Sequence, residues 1–215
     1  MTDSQGPWDK EKAERHAGWA RMMSRLIYAP FARKIAASLS PTLNEPVLVD
    51  LGTGPGVLAI EVHKLLPHAR VIGIDLSAVM LEIAKGNAVK SGMTNFEGRI
   101  GNADEIPVET GSADLVFSQF SLHEWEDAEK GLSEVHRILK CGGSVMLRDF
   151  NRVWFTGWKR GLVKFLSAVV GESYEDHLEM FRYSFDDVAG LLKEVGFAEI
   201  KGKAGGLVLL IQGLR

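Results

Sequence analysis

The feature that most constrains the fold is the segment VLVDLGTGPGVLAIEV at residues 47–62. A short β-branched run ends at Asp50, and Gly52, Gly54 and Gly56 follow at alternate positions before an apolar, helix-like run. Glycine permits a positive φ and has no Cβ to keep a ligand away from the backbone. The N-terminus of the following helix offers free N–H groups and a partial positive charge. The segment therefore predicts a strand, a ligand-binding loop and a helix.

Strands and helices alternate through most of the chain, which is typical of a doubly wound, mainly parallel sheet with helices on both faces. Apolar periodicity predicts an N-terminal helical segment at 8–39, strands at 47–51, 70–75, 95–100, 113–118 and 144–150, and helices at 55–66, 77–90 and 128–139. We expect Gly142-Gly143 to end the last of these helices. A further helix at 185–195 precedes two strands, at 198–203 and 207–212, whose short glycine turn predicts an antiparallel hairpin.

Composition narrows the kind of protein. Lys plus Arg number 25 against 28 acidic residues, so the chain lacks the basic excess of most nucleic-acid binders, and no nucleic-acid partner is expected. The single cysteine, Cys141, cannot form an internal disulfide, and the polar N-terminus is unlike a secretion signal, so the cytoplasm is the expected location. No apolar run reaches the ~18 residues of a membrane span, and no histidine has metal-ligand spacing.

Two acidic residues follow the next strands of the predicted sheet. Asp75 ends the strand VIGID, about 20 residues after the glycine loop, where an acid accepts hydrogen bonds from the hydroxyls of a ribose. Asp104, in the segment GNADEIP at 101–107, is placed to accept from an exocyclic amine while the Ala103 backbone contacts the ring. Together with the loop they predict an adenosine site. The alternatives are that Asp75 only caps a helix, that Asp104 is a solvated loop acid, and that Asp50 holds the loop without touching a ligand.

The glycine spacing separates two classes of cofactor. A dinucleotide fingerprint requires G-x-G-x-x-G, and here the third glycine comes one residue early, with Val57 at the expected position. An NAD-binding oxidoreductase is therefore the less favoured alternative. A non-catalytic protein that binds an adenosyl ligand is the other.

These segments together resemble the class I S-adenosylmethionine-dependent methyltransferases, in particular the small-molecule branch of ubiquinone/menaquinone-type (methyltransferase type 11-like) enzymes. The likeness covers roughly residues 47–150 and, more weakly, 184–200. It is carried by DLGTGPG, GIDLS, NADEIP, SADLVFSQFSLHEW (112–125), LKCGGSVML (139–147) and SFDDVAGLLKEVGF (184–197). The chain departs from the family pattern at Cys141, where a proline is usual.

The resemblance implies a Rossmann-like seven-stranded sheet with one antiparallel strand, and S-adenosyl-L-methionine as methyl donor to an O, N, S or C atom of a small molecule. We divide the single expected domain into N-terminal helices (1–45), a cofactor-binding core (46–150), a helical cap insert (151–183) and a C-terminal helix and hairpin (184–215). We expect Ser118, Gln119 and Phe120 to line the methionine side of the cofactor, and Met80 or Leu76 either to flank the adenine or to belong to the core. The resemblance leaves the oligomeric state and the acceptor open.

His123 is the candidate catalytic residue because it follows the fourth strand at the rim of the predicted site. It is a general base, or a donor that orients the acceptor, or a buried histidine that fixes the loop. Glu124 and Asp149 are alternative bases, and Asp149 can equally pair with Arg148 or Arg152.

The cap insert is rich in aromatic residues. They either bury themselves against the sheet or, together with Trp19 and Met22, line an acceptor pocket; in the insert they are Trp154, Phe155, Trp158, Phe165, Tyr174, Phe181 and Tyr183.

Overall fold

One seven-stranded sheet organises the computed structural model, which describes residues 9–157, 159, 161, 164 and 178–215. The strands lie in the order β3-β2-β1-β4-β5-β7-β6, so the glycine-loop strand β1 is central. Pairs among β1 to β5 are parallel, whereas β7 is antiparallel to both β5 and β6. The predicted fold class and terminal hairpin are confirmed. The strands are β1 Val47–Leu51, β2 Arg70–Asp75, β3 Phe96–Ile100, β4 Ala113–Gln119, β5 Leu139–Phe150, β6 Ala198–Gly205 and β7 Val208–Leu214.

The helices described are α1 Lys10–Met22, α2 Ala29–Ser38, α3 Val57–His63, α4 Ala78–Lys90, α5 Ala128–Ile138 and α6 Phe185–Val195. Four of these six, α1, α4, α5 and α6, begin at a residue whose side chain caps the helix. Ser77 accepts from the N–H of Met80 at the start of α4, and Ser184 forms a capping box with Asp187 at the start of α6. Gly196, with φ +105°, ends α6 in the left-handed conformation. A π-helical turn at Ser24–Tyr28 joins α1 to α2.

The core lies in two layers, one on each face of the sheet. Leu48 of β1 packs with Phe31 and Ile35 of α2 and with Leu58 of α3. Its neighbour Val49 belongs to the opposite layer, which includes residues of α5 and α6. This alternation follows from the two-residue repeat of a strand. In sheets of this kind, ligands bind beyond the carboxyl ends of the parallel strands.

The expected end of the helix at Gly142-Gly143 is wrong. The helix ends at Ile138 and β5 begins at Leu139, so both glycines lie inside the strand. Gly142 has φ +80°, and its N–H donates to the carbonyl of Arg215. A Cβ on Gly143 would lie 2.9 Å from the carbonyl oxygen of Lys140. The glycines therefore allow an irregular start of β5. The prediction of a helix end failed because glycine is favoured both at helix ends and at irregular positions in strands.

The cap insert is described in part, and Trp158, Phe165 and Tyr174 lie outside the described residues. A short 3₁₀ turn covers Arg152–Trp154. Phe181 stacks on Phe155, with ring centroids 4.4 Å apart, and on Trp154 at 6.1 Å. Among the helices that the structure describes, none has the length and hydropathy required to cross a bilayer.

Candidate active site

The glycine loop is held by β2 and by Asp50. The N–H groups of Gly52 and Thr53 both donate to the carbonyl of Ile74 at 2.9 Å. The carboxylate of Asp50 accepts from the Thr53 hydroxyl at 2.8 Å. Asp50 is only 1% exposed, so it supports the loop from beneath. This contact favours the alternative in which Asp50 fixes the loop.

The three glycines of the loop have three different surroundings. A Cβ on Gly52 (φ +74°) would lie 2.1 Å from Oγ of Ser121, and one on Gly56 (φ +75°) would lie 3.1 Å from Cβ of Ala84 in α4. A Cβ on Gly54 (φ +52°) would meet no atom within 4 Å. Gly52 and Gly56 thus allow close packing of neighbouring elements, while Gly54 faces the open space that a ligand requires.

Asp75 joins the loop to the end of β2. Its Oδ2 accepts from the N–H of Gly54 at 2.8 Å, and its Oδ1 accepts from the N–H of Ser77 at 2.9 Å. Burial raises the pKa of Asp75, while these two N–H groups oppose the rise. Because a carboxylate has about four lone-pair sites, it retains acceptor capacity for ligand hydroxyls. Leu76 beside it is 66% exposed, whereas Met80 is 2% exposed and lies in the interior.

Burial, reinforced by the charge of Asp75, raises the pKa of Asp50 to about 7, although hydrogen bonds from Thr53 and the Ala59 backbone act in the opposite direction. The carboxyl is therefore divided between its neutral and charged forms near neutral pH. A cation bound above the loop would favour the charged form.

The turn after β3 packs beside the loop after β4. Ala103 is buried and Asp104 is half-buried in a turn in which the Glu105 N–H donates to Oδ1 of Asn102 at 2.8 Å. A Cβ on Gly131 would lie 2.6 Å from the Trp125 ring and 3.1 Å from Cβ of Ala103. Both predicted adenine contacts are thus on the same side of the sheet edge as the residues that follow β4.

The end of β4 carries two buried polar groups without hydrogen-bond partners, Oγ of Ser118 and Nε2 of Gln119. Buried polar atoms are nearly always satisfied, so these two are candidate ligand contacts. The next residue, Phe120, has φ +57°, a strained conformation for a residue with a side chain. This turn brings the Phe120 ring onto Phe150, with centroids 4.6 Å apart.

His123 lies against the end of β5. Its Nδ1 is 2.8 Å from Oδ1 of Asp149, and its backbone N–H donates to Oδ2 of the same carboxylate at 3.2 Å. Burial alone would lower the pKa of His123, but the hydrogen bond and charge of Asp149, with a contribution from Glu124, raise it overall. Asp149 therefore pairs with neither of the arginines considered from the sequence. Arg152 instead forms an ion pair with Asp187 at 2.8 Å.

No signal in the sequence pointed to Tyr28, and the sequence suggested Asp149 rather than the observed groups as a partner of Arg148. Arg148 donates to the carbonyl of Ile27 at 2.5 Å and to Oε1 of Gln119 at 3.1 Å. Burial, followed by the charge of Asp50, raises the pKa of Tyr28 to about 12, and Arg148 opposes the rise. The N-terminal segment is thereby tied to the end of β4 beneath the site. Trp19 and Met22, by contrast, are 45% and 72% exposed.

Comparisons with known proteins agree with this geometry. A family model described as a methyltransferase domain matches residues 44–186. The chain is 30% identical over 184 residues to the demethylmenaquinone methyltransferase of Porphyromonas gingivalis, covering 78% of this chain and 74% of that enzyme. It is 27% identical over 188 residues to a ubiquinone/menaquinone biosynthesis C-methyltransferase of a Geobacter species, covering 78% of each.

Among solved structures, a SAM-dependent methyltransferase from Aquifex aeolicus superposes with a TM-score of 0.71 at 21% identity, over 96% of this chain and 98% of that one. At this identity the match supports the shared fold.

The residues present fit S-adenosyl-L-methionine. The open face at Gly54 and the acceptor capacity of Asp75 suit a nucleoside, and the orphaned atoms of Ser118 and Gln119 suit a polar amino-acid end. The charge of Asp75 acts on both Asp50 and Glu124, so this side of the site carries acidic groups that complement a sulfonium. The chain belongs to the methyltransferase domain family and is an S-adenosyl-L-methionine-dependent methyltransferase of small molecules.

Proposed function

We propose that the chain methylates a ring carbon of a small hydroquinone, with His123 as general base. The relatives named above include C-methyltransferases of quinone biosynthesis. An oxidised quinone ring is electrophilic, so the nucleophile would be the reduced ring, in which loss of a hydroxyl proton places negative charge on a neighbouring carbon. The observation that carries the proposal is the position of His123, paired with Asp149 beside the stacked rings of Phe120 and Phe150.

The aromatic wall supports a flat, apolar acceptor. Phe150 contacts His123 edge-on, with centroids 5.7 Å apart, and also stacks against Phe120. Phe155 and Phe181 are buried behind Phe150, so the wall is backed by packed rings. Aromatic rings prefer offset or edge-on neighbours, which suits a hydroquinone ring.

The cofactor roles are part of the same proposal. Asp75 binds the ribose hydroxyls, Ala103 and Asp104 contact the adenine with Leu76 at its edge, and Ser118 and Gln119 hold the amino-acid end. Gly54 is the loop position nearest the ligand, while Gly52 and Gly56 keep the loop in shape. Met80, which is buried, supports the adenine side from the interior. Asp50 acts from below through Thr53.

When bound, S-adenosyl-L-methionine supplies an electrophilic methyl group on a sulfonium. The protein's main contribution is to hold the acceptor carbon in line with that group, and such positioning accounts for roughly 7–11 kcal/mol of a barrier. A positioned base contributes a further factor of about 10²–10⁴. The aromatic wall excludes water and strengthens the electrostatic interactions at the reacting atoms.

The acceptor is tested with an alkylated naphthohydroquinone in which the ring carbon next to the alkyl substituent carries only hydrogen. We expect a C-methylated product, identified by NMR of the isolated compound. The matched control carries a methyl group on that carbon and should not react, and the oxidised quinone should also be inert. Methylation of oxygen alone, or equal turnover of the blocked compound, would contradict carbon as the acceptor atom.

The cofactor site is tested separately by Asp75→Ala. Loss of charge-assisted hydrogen bonds of about 1.5–3 kcal/mol should weaken S-adenosyl-L-methionine binding by roughly 10- to 100-fold in calorimetry. Glu97→Gln is the control, because Glu97 is an exposed acidic residue of β3 that forms ion pairs with Arg70 and Arg99. Unchanged affinity of the Asp75 variant would remove this residue from the site.

A further inference from the structure

Asp149 occupies a place that the methyltransferase chemistry described so far does not explain. It is 1% exposed and lies one residue before the end of β5. Oδ1 is within hydrogen-bond distance of both His123 Nδ1, at 2.8 Å, and the Phe150 N–H, at 2.6 Å. Oδ2 accepts from the backbone N–H of His123 at 3.2 Å. The carboxylate is thus fixed on both oxygens, and two of its three contacts are to the same histidine.

This arrangement determines which nitrogen of His123 carries the proton. An ionised carboxylate only accepts hydrogen bonds, so the nitrogen facing it, Nδ1, must be the donor. The lone pair of the neutral imidazole is then on Nε2. Among the described residues, Nε2 has no hydrogen-bond partner. The backbone contact and the Phe150 ring fix the loop and the plane of the imidazole, so Nε2 has a defined direction.

We propose that Asp149 is a positioning residue that holds His123 as the Nδ1–H tautomer, making Nε2 the atom that takes a proton from the acceptor. The inference rests on the proposed function, because it assigns the proton acceptor for that reaction. The hydroxyl O–H of the acceptor breaks and its proton passes to Nε2. The electron pair left behind delocalises to the ring carbon, which bonds the methyl group as the C–S bond breaks with its pair on sulfur. The ring carbon then releases its own proton to solvent, and the imidazolium returns the first proton to the acceptor oxygen, which restores the hydroxyl group.

Asp149 also stabilises the imidazolium formed in this step. Three charged groups act on His123: Asp149 and Glu124 favour the charged ring, while Arg182 opposes it. Glu124 itself is exposed at the rim. No hydrogen bond to a described residue holds its side chain, so it lacks the defined direction that a base requires. The geometry therefore favours the pair of His123 and Asp149 over Glu124.

The first test measures the tautomer in the cofactor-free protein and needs no acceptor. Long-range ¹H–¹⁵N NMR of histidine-labelled protein, assigned with His123→Ala, should show Nδ1–H for His123 above its pKa. In Asp149→Asn, the ring should lose this preference and should titrate at lower pH, because the anionic partner is gone. A wild-type His123 with its proton on Nε2 would overturn the proposal, even if methyl transfer is confirmed.

The second test is kinetic. Asp149→Asn should lower kcat by about 10²–10⁴-fold while cofactor affinity in calorimetry stays within about twofold, because only the base is impaired. The pH at which kcat falls because His123 becomes protonated should shift in the same direction as the His123 titration measured by NMR. Glu97→Gln, which removes one exposed acid far along the sheet at β3, should retain wild-type turnover.

A double variant separates positioning from structural support. If Asp149 acts through His123, His123→Ala combined with Asp149→Asn should be no slower than His123→Ala alone. If the losses in kcat of the two single variants multiply in the double variant, Asp149 is structural and the proposal is overturned. The same holds if Asp149→Asn loses cofactor affinity as much as it loses kcat. Inactivity of the wild-type protein towards every hydroquinone would refute the proposed function, and the tautomer measurement would still stand.

Discussion

Gly52→Ala offers a direct test of how the site is assembled. The added Cβ would lie 2.1 Å from Oγ and 2.4 Å from Cβ of Ser121, closer than atoms approach in folded proteins, at a position where φ is +74°. A left-handed residue with a side chain costs about 1–2 kcal/mol, and overpacking adds about 1–3 kcal/mol. We expect a loss of about 2–5 kcal/mol in the free energy of unfolding, a large part of a typical domain's stability of about 5–15 kcal/mol.

Gly54→Ala is the matched control, since it adds the same methyl group at a glycine with positive φ where no neighbouring atom lies within 4 Å. Its φ of +52° predicts the conformational cost of about 1–2 kcal/mol without overpacking. Urea denaturation of the cofactor-free protein should therefore rank wild type, Gly54→Ala and Gly52→Ala in order of falling stability. Calorimetry should show weakened cofactor binding for Gly54→Ala, because its methyl group enters the space reserved for the ligand.

Ser121→Gly removes both atoms that the new methyl group meets. Combined with Gly52→Ala, it should recover the overpacking part of the loss, so that the two changes couple by more than about 1 kcal/mol. Ser121→Gly by itself deprives Trp125 Nε1 of an acceptor at 3.1 Å and should cost about 1 kcal/mol. A Gly52→Ala variant that is no less stable than Gly54→Ala would contradict the predicted clash with Ser121. A double variant that shows no coupling would contradict it as well.

The remaining predictions concern Asp50 and Ser184. The folded-state pKa of Asp50, about 7, exceeds its ordinary value of 3.8, so the folded state binds more protons between these values and stability falls as pH rises from about 4 to 7. Relative to Asp50→Asn, the wild type should lose up to about 4 kcal/mol over this range in denaturation curves; parallel curves would refute the burial argument. Cofactor binding should also release a proton near pH 7, detected by calorimetry in buffers of different ionisation enthalpy, and Asp50→Asn should abolish it; an unchanged release would place its source elsewhere. Ser184→Ala removes the capping box of α6 and should cost about 1–2 kcal/mol, whereas Ser184→Thr should cost less; equal urea midpoints would show that the cap contributes nothing.

Local patterns predicted most of the fold because they follow from short-range chemistry. The glycine run after a β-branched strand and the glycine turn of the terminal hairpin each depend on neighbouring residues, and the structure has both. The sheet order follows from the alternation of strands and helices. Gly142-Gly143 shows the limit, because a glycine pair fits a helix end and a strand irregularity equally well. The hydrogen bond from Gly142 to distant Arg215 has no signal in the local sequence.

The contacts that complete the site are of long range, and most had no local signal. Arg148 reaches Ile27 across 121 positions in the sequence, which no periodicity encodes. The pairing of His123 with Asp149 was accessible in principle, since β4 and β5 are parallel neighbours and their carboxyl ends meet. The nearby arginines, Arg148 and Arg152, suggested an ion pair with Asp149 instead. In the structure the Asp149 side chain contacts His123.

The position of β7 sets the order in which the sheet can be completed. β6 precedes β7 in the chain yet pairs with β7 alone, and β7 in turn occupies the edge of β5. Because domains form progressively as the chain leaves the ribosome, the five parallel strands can assemble first. Until the hairpin arrives, β5 presents unpaired backbone groups to its surroundings. The strand that carries Asp149 therefore gains its second neighbour only when β7 pairs with it.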